Sequence, residues 1–278
     1  MPTIGIQLYM ILDHLEKAPE ATLARLAEIG YREVEAIGGY VASGVDLRRM
    51  IEQAELACPS VHMQFERGEI EVQLEEACSL GVQYVVSPVL FPSCDARDDP
   101  VAMYRELNSL TADEFRKIGD RANELGRRAR DMGLRYVYHN HNFEFRSLGS
   151  GLNGYSILLA NTDPDLVYFE ADCGWMAAAG VSPVDVLRSF PGRFPLLHIK
   201  EFDRTDSIGT SIGTCPRSAA LGHGQMDYRA LLRQAIELGS EHIFVEQEPP
   251  FSAYDSLEAA AADYEYLHAS LSSGARRK

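Results

Sequence analysis

The sequence predicts a single-domain α/β protein, a closed (β/α)8 TIM barrel. Two observations support this: a helix–glycine–strand unit recurs along the chain, and eight apolar runs alternate with helical patterns over 278 residues. The alternative is an open doubly wound sheet, which usually has a glycine-rich phosphate turn after its first strand. The first strand lacks GxGxxG, and no GxxxxGK(S/T) occurs. The barrel is expected over residues 1–272, with 273–278 as a disordered tail.

The repeated unit is a helix tail, a glycine, two or three residues and an apolar or β-branched run. The glycine suits the left-handed position just after a helix, and the run suits a buried parallel strand. Four segments have this form: AEIGYREVEAI (27–37), CSLGVQYVVSP (78–88), RDMGLRYVYHN (130–140) and IELGSEHIFVE (236–246).

The other strands and the helices fill the intervals between these units. Alternation this regular indicates a parallel sheet covered by helices. TADE is typical of a capping box, with Thr111 as N-cap and Glu114 three residues later. The remaining strands are expected at 3–9, 59–65, 166–172 and 194–200, and helices at 19–30, about 45–57, 68–81, 111–133 and 226–239.

Composition and charge narrow the choice of partners. The chain has 26 basic and 41 acidic residues, a net charge of −15, which repels phosphate backbones and anionic lipid. Nucleic acid and membrane surfaces are therefore disfavoured. The cysteine count is odd and no CxxC occurs, which argues against a disulfide framework or a structural zinc site. With no signal-peptide pattern at the start, a cytoplasmic location is expected.

Polar side chains recur where the predicted strands end. In a (β/α)8 barrel the active site lies at this end, where inward-facing side chains converge. Carboxylates and imidazoles that converge repel one another unless a cation is present, so a divalent Mn, Co, Mg, Fe or Zn ion is expected. The side chains are Glu35, His62, Gln64, His139, Asn140, His141, Glu144, Glu170, Asp172, His198, Lys200, Glu246 and Glu248.

The strand-end motifs are YHNHNFEF (138–145), FEADCGWMAAAGVSPVDVL (169–187), LLHIKEFD (196–203), LGHGQMDYRALL (221–232) and IFVEQEPP (243–250). They resemble the xylose isomerase-like TIM barrels, which include sugar phosphate isomerases/epimerases, inosose dehydratases, ketose 3-epimerases, 3-dehydroshikimate dehydratases and the endonuclease IV group. The resemblance covers essentially the whole chain. It is specific for the fold and the metal site and unspecific for the reaction.

The resemblance implies one divalent metal held by a Glu, an Asp, a His and a Glu from strands five to eight. Asp172, His198 and Glu246 match the last three. Strand five departs from the pattern, because its end has histidines where many relatives have Glu. Glu144 is the expected ligand there, with His139 or His141 as the alternative.

A metal site of this kind activates a hydroxy-ketone for loss of its α-proton and stabilises the enediolate that forms. The expected function is therefore a sugar isomerase/epimerase acting on a ketose, keto-sugar or polyol-derived substrate. The alternative is a lyase that dehydrates a keto-inositol or 3-keto-sugar. An endonuclease IV-like hydrolase, which the charge disfavours, and a non-catalytic sugar-binding barrel are weaker alternatives. Relatives often form dimers or tetramers, so a homo-oligomer is compatible with the resemblance.

Roles follow for the remaining side chains. The expected catalytic residues are Glu246, Glu144, His141 and Lys200. The expected substrate contacts are His62, Glu35, His139, Trp175, His223 and Glu248. The long loop at about 204–224, which includes Arg217, is expected to cover the mouth.

Several of these residues have purely structural alternatives. Asp172 suits a turn that holds backbone N–H groups, and Lys200 suits an ion pair with Glu170 or Asp172. Glu35 could be a solvated charge. His62 and Trp175 could be packing residues.

Overall fold

A computed structural model describes residues 3–92, 99–203, 209–213, 216–249, 251 and 255–272. Eight parallel strands close into a barrel in which each strand pairs with its neighbours in chain order and the last pairs with the first. The predicted (β/α)8 barrel is confirmed. The strands are β1 (Ile4–Gln7), β2 (Glu33–Ile37), β3 (Ala57–His62), β4 (Tyr84–Ser87), β5 (Arg135–His139), β6 (Val167–Asp172), β7 (Leu196–Ile199) and β8 (His242–Val245).

Helices cover the outside of the barrel. They are α1 (Pro19–Ile29), α2 (Gly44–Gln53), α3 (Ile70–Leu80), α4 (Pro100–Ser109), α5 (Ala112–Asp131), α6 (Gly154–Asn161), α7 (Cys173–Ala178), α8 (Pro183–Ser189), α9 (Tyr228–Glu237) and α10 (Ser256–Ser272). The capping box of α5 is present, since Thr111 and Glu114 each bond the other's backbone N–H. Within the described ranges, no helix has both the length and the apolar character that a membrane span requires.

The first strand is shorter than the sequence pattern predicts. The side chain of Gln7 accepts a hydrogen bond from the backbone N–H of Tyr9 at 3.1 Å, which turns the chain into a 3-10 helix over Leu8–Ile11. A second helical turn, Leu12–Leu15, follows directly. This turn leaves Tyr9 47% exposed at the mouth of the barrel.

An apolar layer inside the barrel forms the floor of the polar region. Tyr84, Val86, Val137, Leu196 and Phe244 pack together here, separate from the main core between strands and helices. The Phe244 ring lies 6.3 Å from the ring of His198. A Cβ at Gly5 would lie 2.6 Å from Phe244, so glycine is needed for this ring to fit against β1.

Two buried carboxyl groups hold the segment that follows β7. Glu201 accepts a hydrogen bond from the backbone N–H of Gln225 at 3.0 Å, and Asp263 on α10 accepts one from Leu221 at 2.8 Å. Burial raises the pKa of both carboxyl groups to about 7. Parts of the predicted 204–224 loop, at 204–208 and 214–215, and the 273–278 tail lie outside the described residues.

The raised pKa values of Glu201 and Asp263 indicate that the stability of the fold depends on pH. Their pKa values rise on folding from 4.5 and 3.8 to about 7, so the folded chain binds more protons between those values. Stability is greatest below the unfolded pKa values and falls as the pH rises towards 7. Glu201→Gln should therefore reduce the drop in Tm of chelator-treated protein between pH 5 and pH 8. Glu237→Gln, at an exposed position on α9, should keep the wild-type drop. An unchanged drop in Glu201→Gln would contradict this account.

Candidate metal centre and active site

The carboxyl ends of the strands bring acidic and basic side chains into one buried region. Alternation along a strand sends residues two apart to the same face, so Glu170 and Asp172 both point inward from β6. The region contains Glu35, His62, His139, Glu170, Asp172, His198, Lys200 and Glu246. His62 is the most exposed of these, with a side chain 11% exposed.

The imidazole of His198 lies at the centre of this region and has no exposure. Its Nδ1 lies 3.0 Å from Glu246 Oε2, and its Nε2 lies 2.6 Å from Glu35 Oε2. Burial lowers the pKa of His198, but the negative charges of Glu170 and Glu35 outweigh burial and raise it well above its usual value. His198 therefore lies between two groups of candidate metal ligands, one on the side of each ring nitrogen.

The first group, called here the upper cluster, consists of Asp172, His198 and Glu246. One ligand atom from each lies within 4.8 Å of the others. Asp172 Oδ1 accepts a hydrogen bond from the backbone N–H of Trp175 at 2.7 Å and caps α7. Its Oδ2 is buried without a hydrogen-bond partner, and His139 Nε2 lies 3.9 Å from it. Asp172 is thus both a turn residue and a candidate ligand.

The second group, called the lower cluster, consists of His62, His139, Glu170 and His198, whose ligand atoms also lie within 4.8 Å of one another. Glu170 Oε2 lies 2.9 Å from His62 Nε2 and 2.8 Å from His139 Nδ1. Burial lowers the pKa of His62, yet Glu35 and Glu170 raise it to about 9. Each of His139 and His198 thus presents one ring nitrogen to each cluster.

Glu35 lies beneath both clusters rather than in solvent. Its carboxylate accepts hydrogen bonds from Ser60 at 2.6 Å and from Gln7 at 2.8 Å, and its side chain has no exposure. It does not line the cavity above. The solvated interpretation of Glu35 is wrong, because these neutral donors and His198 enclose the carboxylate.

Lys200 is the cation nearest the upper cluster, and 1% of it is exposed. Its Nζ lies 2.8 Å from Glu246, 2.7 Å from Glu248 and 3.3 Å from Asp172. It also lies 5.0 Å above the ring of Trp175. Although burial raises the pKa of Glu246, Lys200 and His198 hold it well below its usual value.

A cavity of about 260 Å³ opens directly above these residues. The polar wall contains predicted site residues from both clusters and from the loops. They are His62, His139, His141, Trp175, Lys200, Glu246 and Glu248.

Glu144 is not brought to either cluster. It is buried, and it accepts hydrogen bonds from the Tyr138 hydroxyl at 3.0 Å and from the backbone N–H of His141 at 3.0 Å. Burial raises the pKa of its carboxyl to about 8. These hydrogen bonds instead hold the 3-10 turn Phe143–Phe145 in place. They do not support the ligand and catalytic roles predicted for Glu144.

His223 is exposed and does not line the cavity. Arg217 forms an ion pair with Asp203 at 3.0 Å rather than facing the mouth. Conversely, Tyr40 and Tyr104 line the cavity, and no sequence motif indicates this. For Glu170 the sequence suggests only an ion pair with Lys200, whereas its carboxylate contacts His62 and His139. Its position two residues before Asp172 was the available signal.

The donor set fits a divalent metal. The upper cluster supplies two carboxylates and an imidazole nitrogen, and His139 adds a second imidazole at the place where the family pattern has a glutamate. Two carboxylates balance the charge of a divalent ion, and mixed oxygen and nitrogen ligands suit Zn, Mn, Fe or Co. Asp172 Oδ2 accepts no hydrogen bond, and the nearest cation is the ammonium of Lys200 at 3.3 Å, so this oxygen is a candidate ligand atom.

A family model described as "Xylose isomerase-like TIM barrel" matches residues 23–268. The chain belongs to this family. An inosose dehydratase from Clostridium botulinum is 26% identical over 167 residues, which are 56% of this chain and 54% of that enzyme. This chain thus spans about half the length of that relative.

Solved structures share the fold over almost the whole chain. A sugar phosphate isomerase/epimerase from Parabacteroides distasonis superposes with a TM-score of 0.76 at 23% identity, covering 96% of both chains. The IOLI protein, solved with a bound zinc atom, superposes with a TM-score of 0.71 at 16% identity, covering 99% of this chain and 100% of that one. The similarity establishes the barrel architecture.

The geometry predicts different metal contents for two carboxylate variants. Asp172→Asn keeps the oxygen that caps α7 but replaces Oδ2, the candidate ligand atom, with an amide nitrogen, so it should leave the dialysed protein with far less than one metal ion per chain. Glu144→Gln should retain about one ion per chain, as the wild type does. Elemental analysis after loading and dialysis measures both. Loss of metal in Glu144→Gln with retention in Asp172→Asn would contradict the assignment.

Proposed function

We propose that this protein is a divalent-metal-dependent enzyme that removes a proton beside the carbonyl of a keto-sugar or polyol-derived substrate. The observation that supports this most strongly is the upper cluster, with two carboxylates and an imidazole within reach of one ion, beneath a cavity of about 260 Å³. Sugar isomerisation or epimerisation is the first assignment. Dehydration is the second, favoured by the similarity to inosose dehydratases.

Asp172, His198, Glu246 and His139 are the proposed metal ligands. When bound there, the metal would polarise a carbonyl oxygen of the substrate and stabilise negative charge as the proton leaves. In this proposal His139 replaces the strand-five glutamate of the family pattern. Glu144 has a structural role instead, in the 3-10 turn that follows β5.

Side chains that line the cavity transfer the proton in this proposal. Glu246 reaches the cavity wall and is held in its ionised form by Lys200, so its carboxylate is available as a base. His141 lies on the same wall, and its buried Nδ1 has no hydrogen-bond partner. It is the proposed partner that returns the proton.

Lys200 has a positioning role in this scheme. Its ammonium contacts Glu246 and Glu248 at hydrogen-bonding distance and packs over Trp175. These contacts restrict the Lys200 side chain and orient the carboxylate of Glu246 towards the cavity. The positive charge beside the site also favours an enediolate over the neutral substrate.

The carboxylates of Glu170 and Glu35 orient the histidine ligands. Glu170 lies 2.8 Å from His139 Nδ1, and Glu35 lies 2.6 Å from His198 Nε2. A carboxylate that accepts the distal N–H of a ligating histidine sets its tautomer and the direction of its other nitrogen. Glu170 and Glu35 therefore act through the ligands, and no substrate contact is assigned to them.

Glu170→Gln should weaken metal binding about tenfold, because the amide accepts the His139 N–H less strongly than the carboxylate does. Titration of the chelator-treated protein with Zn²⁺ or Co²⁺ measures the Kd. Glu144→Gln is the matched control, since it alters a buried carboxylate that contacts no imidazole nitrogen, and its Kd should equal that of the wild type. Complete loss of binding in Glu170→Gln would place the ion in the lower cluster instead.

The reaction class predicts exchange of a carbon-bound proton with solvent. Wild-type protein loaded with Mn²⁺ should incorporate deuterium into at least one substrate from a panel of ketohexoses, L-ribulose and an inosose, followed by NMR in heavy water. Glu246→Gln should slow this exchange by at least about 100-fold, since it removes the base. Glu237→Gln should exchange at the wild-type rate. Absorbance from a new enone would identify dehydration, and equal exchange in Glu246→Gln would refute the assigned base.

A further inference from the structure

Three tyrosines surround the open end of the cavity and are called here the aromatic collar: Tyr9, Tyr40 and Tyr104. They are 47%, 46% and 37% exposed, whereas Glu246 and His139 at the inner end are 8% and 3% exposed. Phe190 is the one other aromatic side chain of comparable exposure among the described residues, and it does not line this cavity. Exposed aromatic rings are thus concentrated where a ligand would enter.

The collar is built from three separate parts of the chain. Tyr9 projects from the turn that ends β1, Tyr40 follows β2, and Tyr104 lies on α4. A Cβ at Gly213 would lie 2.8 Å from the Tyr104 ring, which therefore packs directly on backbone. The hydroxyl of Tyr40 accepts a hydrogen bond from Gln64 at 3.4 Å. These contacts position two of the rings while leaving part of each open to solvent.

The charges along the wall indicate what kind of ligand fits. Of the described residues that line the cavity, Lys200 is the single lysine or arginine. Its ammonium forms ion pairs with Asp172, Glu246 and Glu248 at the inner end of the cavity, so it is not free to bind a phosphate at the collar. As far as the described residues go, the part of the ligand that reaches the collar therefore meets aromatic rings and no unpaired lysine or arginine. An uncharged group suits this environment better than a phosphate.

We propose that the aromatic collar is a second binding subsite, which takes an uncharged ring joined to the reacting sugar. The substrate class is then a glycoside or disaccharide carrying the keto-sugar, rather than a free monosaccharide or a sugar phosphate. Tyrosine faces bury the apolar C–H face of a sugar ring, and their hydroxyls remain available to its hydroxyl groups. This inference rests on the proposed function, since the inner cavity must hold the reacting sugar.

The single tryptophan provides a direct reporter of occupancy. Trp175 lines the cavity and is the only tryptophan of the chain. Selective excitation of tryptophan fluorescence therefore reports ligand binding in this cavity. The probes are isomaltulose and lactulose as two-ring ligands that carry a ketose, glucose and fructose as one-ring ligands, and fructose 6-phosphate. Metal-loaded protein should bind at least one disaccharide about tenfold more tightly than either monosaccharide or the phosphate.

Single substitutions test whether the collar causes this preference. Tyr9→Ala, Tyr40→Ala and Tyr104→Ala should each lower the disaccharide-to-monosaccharide affinity ratio by about three- to tenfold, the range expected for loss of one aromatic contact. Tyr40→Phe keeps the ring and should retain the ratio. Phe190→Ala removes an exposed aromatic outside the cavity and should behave as the wild type.

Three results would overturn the proposal: equal affinity for one and two rings, tighter binding of the phosphate, or an affinity ratio that survives all three alanine substitutions. Failure of the collar is distinguishable from failure of the proposed function. If the wild type binds one metal ion and exchanges substrate protons but shows no two-ring preference, only the subsite is wrong. If it neither binds metal nor exchanges protons, the proposed function itself has failed.

Discussion

The buried imidazole of His198 is the contact on which the rest of the site depends. One nitrogen faces Glu246 and Asp172, and the other faces Glu35 and Glu170. Buried carboxylates are tolerated only when cations and hydrogen bonds compensate for their lost hydration. His198, with His62 and Lys200, compensates in part, while the Oδ2 of Asp172 remains without a hydrogen-bond partner. A divalent metal at this oxygen would complete the compensation and connect the electrostatics of the fold to catalysis.

The strand ends and the segments that follow them contribute different parts of the site. Strand ends supply the clusters, and a packed apolar layer that includes Phe244 lies beneath them. The three collar tyrosines come from the turn after β1, the segment after β2 and α4, whereas His62 and His139 of the cavity wall end strands β3 and β5. Since every reaction discussed begins with the same proton abstraction, the loops rather than the strand ends are expected to determine which sugar reacts.

The sequence predicted the barrel, the capping box and the convergence of strand-end residues, because these follow from periodicity and from the inward face of a parallel strand. It did not predict the direction of Glu144, since that residue lies in a 3-10 turn beyond the regular alternation of β5. It also missed Tyr40 and Tyr104, whose approach to the cavity depends on how loops and α4 fold over the mouth. Glu35 was located correctly at a strand end. Its complete burial follows from Ser60, Gln7 and His198, which are distant in sequence.

We propose that the metal lies in the upper cluster, bound by Asp172, His198 and Glu246 together with His139. Anomalous diffraction from a crystal of the zinc-loaded protein, collected on both sides of the zinc absorption edge, tests this most directly. One strong peak is expected within bonding distance of Asp172 Oδ2 and His198 Nδ1, with Glu170 and Glu35 outside the coordination sphere. A peak on the Nε2 side of His198, ligated by Glu170 and His62, would contradict it.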